Sequence, residues 1–373
     1  MKSAAAQAPK EHPFVGLTLT IASYAVPLAL LAFLFFGAGL NFGFLNDSTN
    51  WDIISPPISF SPQDPYWRAF LVGFVNTIVA GATAMVFAVL LGFSLALLRM
   101  SGLPAIEGGV RLYSDVIRNV PVILQAMFWY AILLNLPSAR EALSAGGAFI
   151  SNRGIYLPWP VTPLAAGLIG LGLVMILVAV GRLRSAREKA DPGRRRLSAI
   201  VLAILGAAAM AWGMARLEPA ISWPVPQGRG IRDGLRIPVE FLALVLALIL
   251  YRAAYIAEIF RAGFRAVSHG QIEAARSLGL SGWDTLFRIR LPQALVTILP
   301  PLTSECVLMV KITSIGILVG FPDLYSISVN ASTMANRSME ALLLLVVGYL
   351  VINLCIVAVM NLLNRRISRR GRR

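Results

Sequence analysis

Four residues in one apolar stretch are of a type to handle a charged solute. Between 291 and 318 the chain carries Glu305, Lys311, Thr313 and Ser314 among residues otherwise suited to lipid. An ionisable side chain within a membrane span is costly and marks a solute path, a proton relay or a partner. A carboxylate and an ammonium beside one path, with two hydroxyls close by, suit a zwitterionic solute. Glu305, Lys311, Thr313 and Ser314 are therefore the candidates for a substrate path. The structural alternative is that Glu305 and Lys311 pair with one another or meet a neighbouring subunit. Pro300, Pro301 and Gly316 stand in the same stretch and could break or kink its helix. A broken helix frees backbone groups, which survive in a membrane only where they line a cavity or pack on protein.

The segment before it, RAGFRAVSHGQIEAARSLGLSGWDTLFRIRLPQAL from Arg261 to Leu295, reads as two short helices. Ser268 with Gln271 and Ser281 with Asp284 both fit capping boxes, in which hydroxyl and side-chain acceptor satisfy free backbone donors. Gly279 lies between the two helices, where a helix ending in the left-handed conformation wants glycine. Pro292 starts the next helix, where it costs little. A rigid capped helix pair has a use as a docking element; the plainer reading is an interfacial hairpin without a partner. Ala274, Ala275 and Gly279 are small enough for another protein to approach closely. Arg265, Arg276, Arg288 and Arg290 could pair with acids on a partner or with lipid headgroups. No catalytic constellation is evident. His12 and His269 are far apart and have no metal-ligand pattern, Cys306 and Cys355 read as small apolar residues, and no G-x-x-x-x-G-K-[ST] phosphate loop occurs.

These segments must be positioned by membrane helices. The chain is 57% hydrophobic and only 14% charged, with a mean hydropathy of +0.73. A water-soluble domain is about 25% charged, so lipid is the solvent for much of this chain. Eight stretches approach the roughly 20 apolar residues that a span requires: 16–40, 69–98, 119–136, 161–181, 198–217, 239–262, 291–318 and 341–363. The first, with its apolar run Val15 to Leu40, is longer than a secretory h-region and reads as a span. If the spans alternate, 23 of the 33 Lys and Arg lie on one side, eight lie on the other, and Arg252 and Lys311 lie inside spans. Basic residues accumulate on the cytoplasmic side, so both termini and the 263–290 loop are cytoplasmic. The net charge of +15 thus reads as topology and contact with anionic lipid, not as nucleic-acid binding. Arg252 and Glu258 lie on different faces of one helix and are not expected to pair with each other. Glu258 reads as a structural partner near the inner end of its span. Asn76, Thr77 and Asn353 read as interhelical hydrogen-bonding residues.

Glu273, Ala274, Ala275, Gly279, Ile289, Leu291 and Pro292, at these spacings, match the EAA loop of ABC importer permeases at each position. The sequence also resembles the polar amino-acid branch of that family in Arg118-Asn119-Val120-Pro121-Val122, Gln125, Phe128-Trp129-Tyr130 and Pro300-Pro301-Leu302-Thr303-Ser304. Phe42-Gly43-Phe44-Leu45 and Arg68 to Gly73 narrow the resemblance to a permease of general L-amino-acid (glutamate, glutamine, aspartate and asparagine) uptake systems. The similarity covers most of the chain from about residue 40 and is weakest in 1–40 and 140–238. It implies an all-α membrane protein of the type I ABC importer transmembrane fold. It places an N-terminal tail, extra helix and outer loop in 1–68, the permease domain in 69–363 and a basic cytoplasmic tail in 364–373. A cytoplasmic hairpin at 182–197 and the coupling loop at 263–290 fall within the permease domain. Partners implied are an ABC ATPase dimer carrying ATP and Mg, a second, related permease and a periplasmic amino-acid-binding protein. The chain itself would hold no cofactor and would not be an enzyme. Similar permeases tend to carry a TKNSS-like stretch where this chain has Val310-Lys311-Ile312-Thr313-Ser314, and glutamine where it has Glu305, so either its solute preference differs from theirs or this subunit does not form the substrate site. A secondary transporter and a membrane scaffold or sensor share the composition but do not need such a loop.

Overall fold

A computed structural model describes residues 39–160, 163–186, 192–216, 221–228 and 230–371. The helices are α1 (Tyr66–Leu98), α2 (Pro104–Asn119), α3 (Val122–Leu134), α4 (Pro163–Ala186), α5 (Pro192–Arg216), α6 (Val239–Arg265), α7 (His269–Ser277), α8 (Leu291–Ile312), α9 (Leu324–Met334) and α10 (Ser338–Gly371). Among the described residues, Tyr66–Leu98, Leu197–Ala215, Val239–Arg265, Gly282–Val319 and Ser338–Ile367 are each long and apolar enough to cross a membrane. Gly167–Gly181 is a shorter apolar helix. The expected first span, 16–40, and part of the expected hairpin 182–197 lie outside the described residues.

The expected third span, 119–136, is corrected. It is not one continuous helix but the second arm of a pair, α2 and α3, which meet at 101° and make a sixth span only if taken together. The cause is Pro121, whose ring pushes the preceding residue out of the helical region. Val120 accordingly lies extended at φ −95° and ψ 125°. The Gln125 side chain holds the break, its Nε2 donating to the carbonyls of Ile117 and Val120, each at 2.9 Å. These are the freed groups that membrane interiors do not tolerate.

The chain divides into two compact units. One comprises residues up to Val79 together with Pro322–Val359. Its core is Phe44, Ile53, Tyr66, Phe70, Val72, Leu324 and Ile327. Asn76 Nδ2 donates to the Pro322 carbonyl at 2.8 Å, and the Thr77 hydroxyl accepts from the Leu324 amide at 3.0 Å, as expected of interhelical polar residues. Asp323 caps α9 by accepting from the Ser326 amide at 2.9 Å. Asn353, by contrast, has a buried Oδ1 without a hydrogen-bond partner.

The other unit comprises Ala80–Phe321 and Met360 onward. Its core is built on α6, with Leu244, Leu248, Ile256, Phe260 and Phe264 buried against Ala80, Ala84, Ala88 and Ala96 of α1 and against Ile298 and Met309 of α8. The small residues of α1 let the helices approach closely. Helices α4 and α5 pack chiefly on each other. A Cβ on Gly206 would stand 2.8 Å from the Gly172 carbonyl oxygen, the small-residue contact that brings membrane helices together.

Short strands lie between α3 and α4 and between α5 and α6. β1 (Leu143–Ala145), β2 (Ala148–Ser151), β3 (Gly154–Leu157) and β4 (Leu235–Pro238) form an antiparallel sheet in that order. In it Ile155 is opposite Ile237 and Tyr156 opposite Arg236, whose guanidinium lies over the tyrosine ring. Trp159–Pro160 pairs with Ile221–Ser222, and Val225–Gln227 with Gly230–Arg232. The sheet joins the chain entering the α4–α5 hairpin to the chain leaving it.

Candidate functional site

The loop between α6 and α8 is a capped surface segment. Helix α7 ends in a Schellman turn. The Leu280 amide donates to the Ala275 carbonyl at 3.1 Å, the Gly279 amide donates to the Arg276 carbonyl at 2.9 Å, and Gly279 is left-handed at φ +74°. A side chain on Gly279 would meet nothing within 4 Å, so the backbone angle alone calls for glycine. The second cap also forms: Ser281 Oγ accepts from the Asp284 amide at 3.1 Å and donates to the Asp284 carboxylate at 2.7 Å. The first capping box does not. Ser268 has the extended backbone of a cap, but its hydroxyl makes no capping bond, and its carbonyl accepts the Gln271 amide instead. With the loop exposed, water competes for that hydroxyl. A single helical turn at Gly282–Asp284 then leads into a π-helical stretch, Thr285–Arg290, which runs on into α8 at Leu291 and Pro292.

The predicted loop residues fall on successive elements: Glu273, Ala274 and Ala275 on α7, Gly279 in the turn after it, Ile289 in the π-helical stretch, and Leu291 and Pro292 at the start of α8. Ala275 is the buried residue of α7, while Glu273, Ala274 and Gly279 are exposed. Glu273 meets His269 Nδ1 at 3.0 Å. Leu278 is 80% exposed and Trp283 66%, the latter stacked on Phe287 with ring centroids 5.7 Å apart. Ile289 and Leu291 are half-buried, and Pro292 is exposed at the start of α8. The loop thus shows both apolar and acidic side chains to solvent.

Within the membrane the four path candidates are not gathered into one cluster. Glu305 does not pair with Lys311, as the structural alternative had it. Glu305 Oε2 accepts from Arg252 Nη1 at 3.0 Å. Arg252 is buried, its guanidinium lies 5.5 Å from the centre of the Tyr251 ring and 5.6 Å from that of Tyr255, and its Nε has no partner. Thr313 is wholly buried, with its hydroxyl donating to the Val310 carbonyl at 2.9 Å. The Ser314 hydroxyl donates to the Lys311 carbonyl at 2.9 Å. Lys311 itself is exposed. Helix α8 continues through Pro300 and Pro301 and changes instead to a 3₁₀ helix at Thr313–Val319, ended by left-handed Gly320. The expected break is therefore real but lies beyond the prolines, at the threonine. Thr297, Pro301, Ser304, Leu308 and Lys311, at helical spacing, are all exposed and form a partly polar stripe that sequence reading did not assemble. Glu258 pairs with Arg99, and Arg261 Nε donates to it at 2.8 Å. This joins the inner ends of α1 and α6, as its structural reading required. Among the described residues no group of His, Cys, Asp and Glu could hold a metal ion.

Several helices long and apolar enough to cross a membrane, with a capped loop between two of them, define a multi-pass membrane protein. The family described as the binding-protein-dependent transport system inner membrane component matches residues 234–369, which contain that loop and α8. The chain is 39% identical to the putative amino-acid ABC transporter permease protein YhdX of Escherichia coli over 89% of this chain and 86% of that one. It is 32% identical to the general L-amino acid transport system permease protein AapQ of Rhizobium johnstonii, over 88% and 83%. It is 30% identical to the glutamate/glutamine/aspartate/asparagine transport system permease protein BztB of Rhodobacter capsulatus, over 90% and 87%. The crystal structure of an amino acid ABC transporter with histidines covers 81% of this chain and 95% of that one at 24% identity and a TM-score of 0.47. The chain belongs to the family of amino-acid ABC transporter permeases and is a multi-pass component of the inner membrane.

Proposed function

We propose that this chain is the permease subunit of an ATP-binding-cassette importer that moves polar L-amino acids across a bacterial inner membrane. The observation that carries this reading is the capped loop of a chain in this family, with Glu273, Ala274 and Leu278 turned to solvent on a helix fixed by the Gly279 turn. In the proposed mechanism Glu273, Ala274, Ala275, Gly279, Ile289, Leu291 and Pro292 form the coupling element. A separate ATPase dimer, which would carry ATP and Mg, seats α7 and moves it. The rigid run from the loop into α8 passes that movement to the membrane helices. A binding protein delivers the solute, and a second, related permease completes the path.

The substrate path is assigned to the face of α8 and the 3₁₀ helix. Lys311 is a charge on an exposed face within a span, and such a charge needs water, a solute or a protein neighbour in place of lipid. The path or the second permease would supply one. Ser314 lies a turn away, whereas Glu305 and Thr313 act from behind by holding α8 to α6 and by fixing the change of helix. The test is uptake of labelled glutamate, glutamine, aspartate and asparagine into proteoliposomes holding the chain, its sister permease and the ATPase. Uptake that requires ATP and binding protein, and survives collapse of ion gradients, is expected. Uptake driven by an ion gradient without ATP would overturn the proposal.

A further inference from the structure

Helix α8 runs on through Pro300 and Pro301, which stand midway along the apolar run Gly282–Val319. Proline carries no amide proton. In an α-helix the amide of each residue bonds the carbonyl four residues earlier. The carbonyls of Val296 and Thr297 therefore lack their ordinary donors. Val296, Thr297, Pro300, Pro301 and Ser304 are all exposed. Thr297, Pro301 and Ser304 lie within about 60° of one another around the helix at 100° per residue, so two hydroxyls share the face on which the prolines stand. Glu305 is turned away from it, with Arg252 Nη1 3.0 Å from its carboxylate.

Two carbonyls without amides, midway along a span, decide what this face meets. Lipid tails offer no donor, and a freed backbone group in hydrocarbon is costly. Such groups are tolerated at membrane depth only against protein or in a water-filled cavity. A carbonyl oxygen accepts hydrogen bonds and repels a carboxylate. Of the two charged ends of an amino acid, only the ammonium donates. Lys311 shares this side of the helix but stands 14 residues beyond Thr297. That is about 20 Å along the axis at 1.5 Å per residue, more than one amino acid spans. We propose that α8 at its proline pair is a station for the ammonium group of an amino-acid solute, held by the carbonyls of Val296 and Thr297 with the Thr297 and Ser304 hydroxyls beside them. An amino acid held there leaves Lys311 to a separate position on the path. The assignment rests on the reading of this face of α8 as the solute path.

The test is equilibrium binding to the purified complex of both permeases and the ATPase, without binding protein, so that the affinity read belongs to the membrane subunits. The probes are labelled L-glutamate and its deaminated analogue glutarate. Pro300→Ala with Pro301→Ala returns the two amides to the helix and so engages both carbonyls. The double variant should bind glutamate roughly tenfold more weakly, as expected for the loss of a hydrogen bond to a charged group. Its affinity for glutarate should be unchanged, and its melting temperature should not fall, because alanine suits a helix interior far better than proline. Pro301→Ala alone should show part of the same selective loss, so a double variant that fails to assemble leaves the assignment testable. Unchanged glutamate affinity would overturn it. So would an equal loss for glutamate and glutarate, which would mean that the prolines only shape the helix. Loss of the second permease from either variant, with glutamate affinity per complex unchanged, would give the face to that subunit and end the proposal. Absence of saturable glutamate binding to the wild type would also end it. ATP-driven uptake by the wild type is measured separately, so failure of the station leaves the importer reading standing.

Discussion

Replacing Glu305 by Met should destabilise the chain far more than its half-buried carboxylate alone suggests. The reason lies across the helix interface. Arg252 is 5% exposed, and Glu305 is its ion-pair partner at 3.0 Å. Without Glu305 a guanidinium stays in a low-dielectric interior with its Nε already unbonded. Breaking such a pair from one side typically costs 3–5 kcal/mol. The Tyr251 and Tyr255 rings, 5.5 Å and 5.6 Å from the guanidinium carbon, remain and offset part of this, since a desolvated cation–π contact is worth about 2 kcal/mol. The expected loss is therefore near the lower end, ~3 kcal/mol. Arg252→Met should cost a comparable amount by stranding the carboxylate. The double variant should recover most of the loss, because two apolar side chains of similar volume replace the pair without leaving a charge behind. Denaturant unfolding of the four proteins in one detergent, read as a double-mutant cycle, measures the coupling. A coupling of about 2 kcal/mol or more is expected. Strictly additive losses would refute the pairing argument. Uptake by the double variant then separates two roles: transport kept means that Glu305 acts through α6, and transport lost in a stable protein means that it meets the solute.

Two other perturbations follow from the geometry. Gly279→Ala places a Cβ at φ +74° at a cost of about 1–2 kcal/mol, and Glu273→Lys reverses an exposed charge on the same helix; both should impair ATP-driven uptake while membrane insertion, read by fractionation, is unchanged. Gln125→Leu removes both donors that hold the break between α2 and α3 and should lower stability by roughly 1–3 kcal/mol for each carbonyl left unsatisfied, visible as a fall in melting temperature.

Much of this architecture is legible in the residues because membrane burial leaves a long apolar signature. Gly279 and Ser281 also announced their turns correctly, since each acts through its own backbone neighbourhood. Ser268 misled because the same local pattern was available but solvent was the easier partner. The 101° bend was foreshadowed by Pro121, yet a window of apolar residues cannot tell a straight span from a bent one. The strands escaped because each is only a few residues long, and β3 finds β4 across the whole α4–α5 hairpin, a pairing without any local mark. The Arg252–Glu305 pair has a sign in the sequence. The two residues stand at nearly the same distance from the outer ends of their antiparallel helices, Val239 and Val319, and so at the same depth. The exposed stripe from Thr297 to Lys311 was hidden for another reason, since only packing decides which face of α8 is left uncovered.

The central claim, that the Glu273 to Gly279 helix docks a separate ATPase, is tested most directly by affinity purification of the tagged chain in gentle detergent. The bound subunits would be identified by mass, for the wild type and for a variant with that helix replaced. The account predicts that the wild type brings down an ATPase and a second permease, and that the variant keeps the permease but loses the ATPase. A chain that retains the ATPase equally in both forms, or that purifies alone in both, would contradict it.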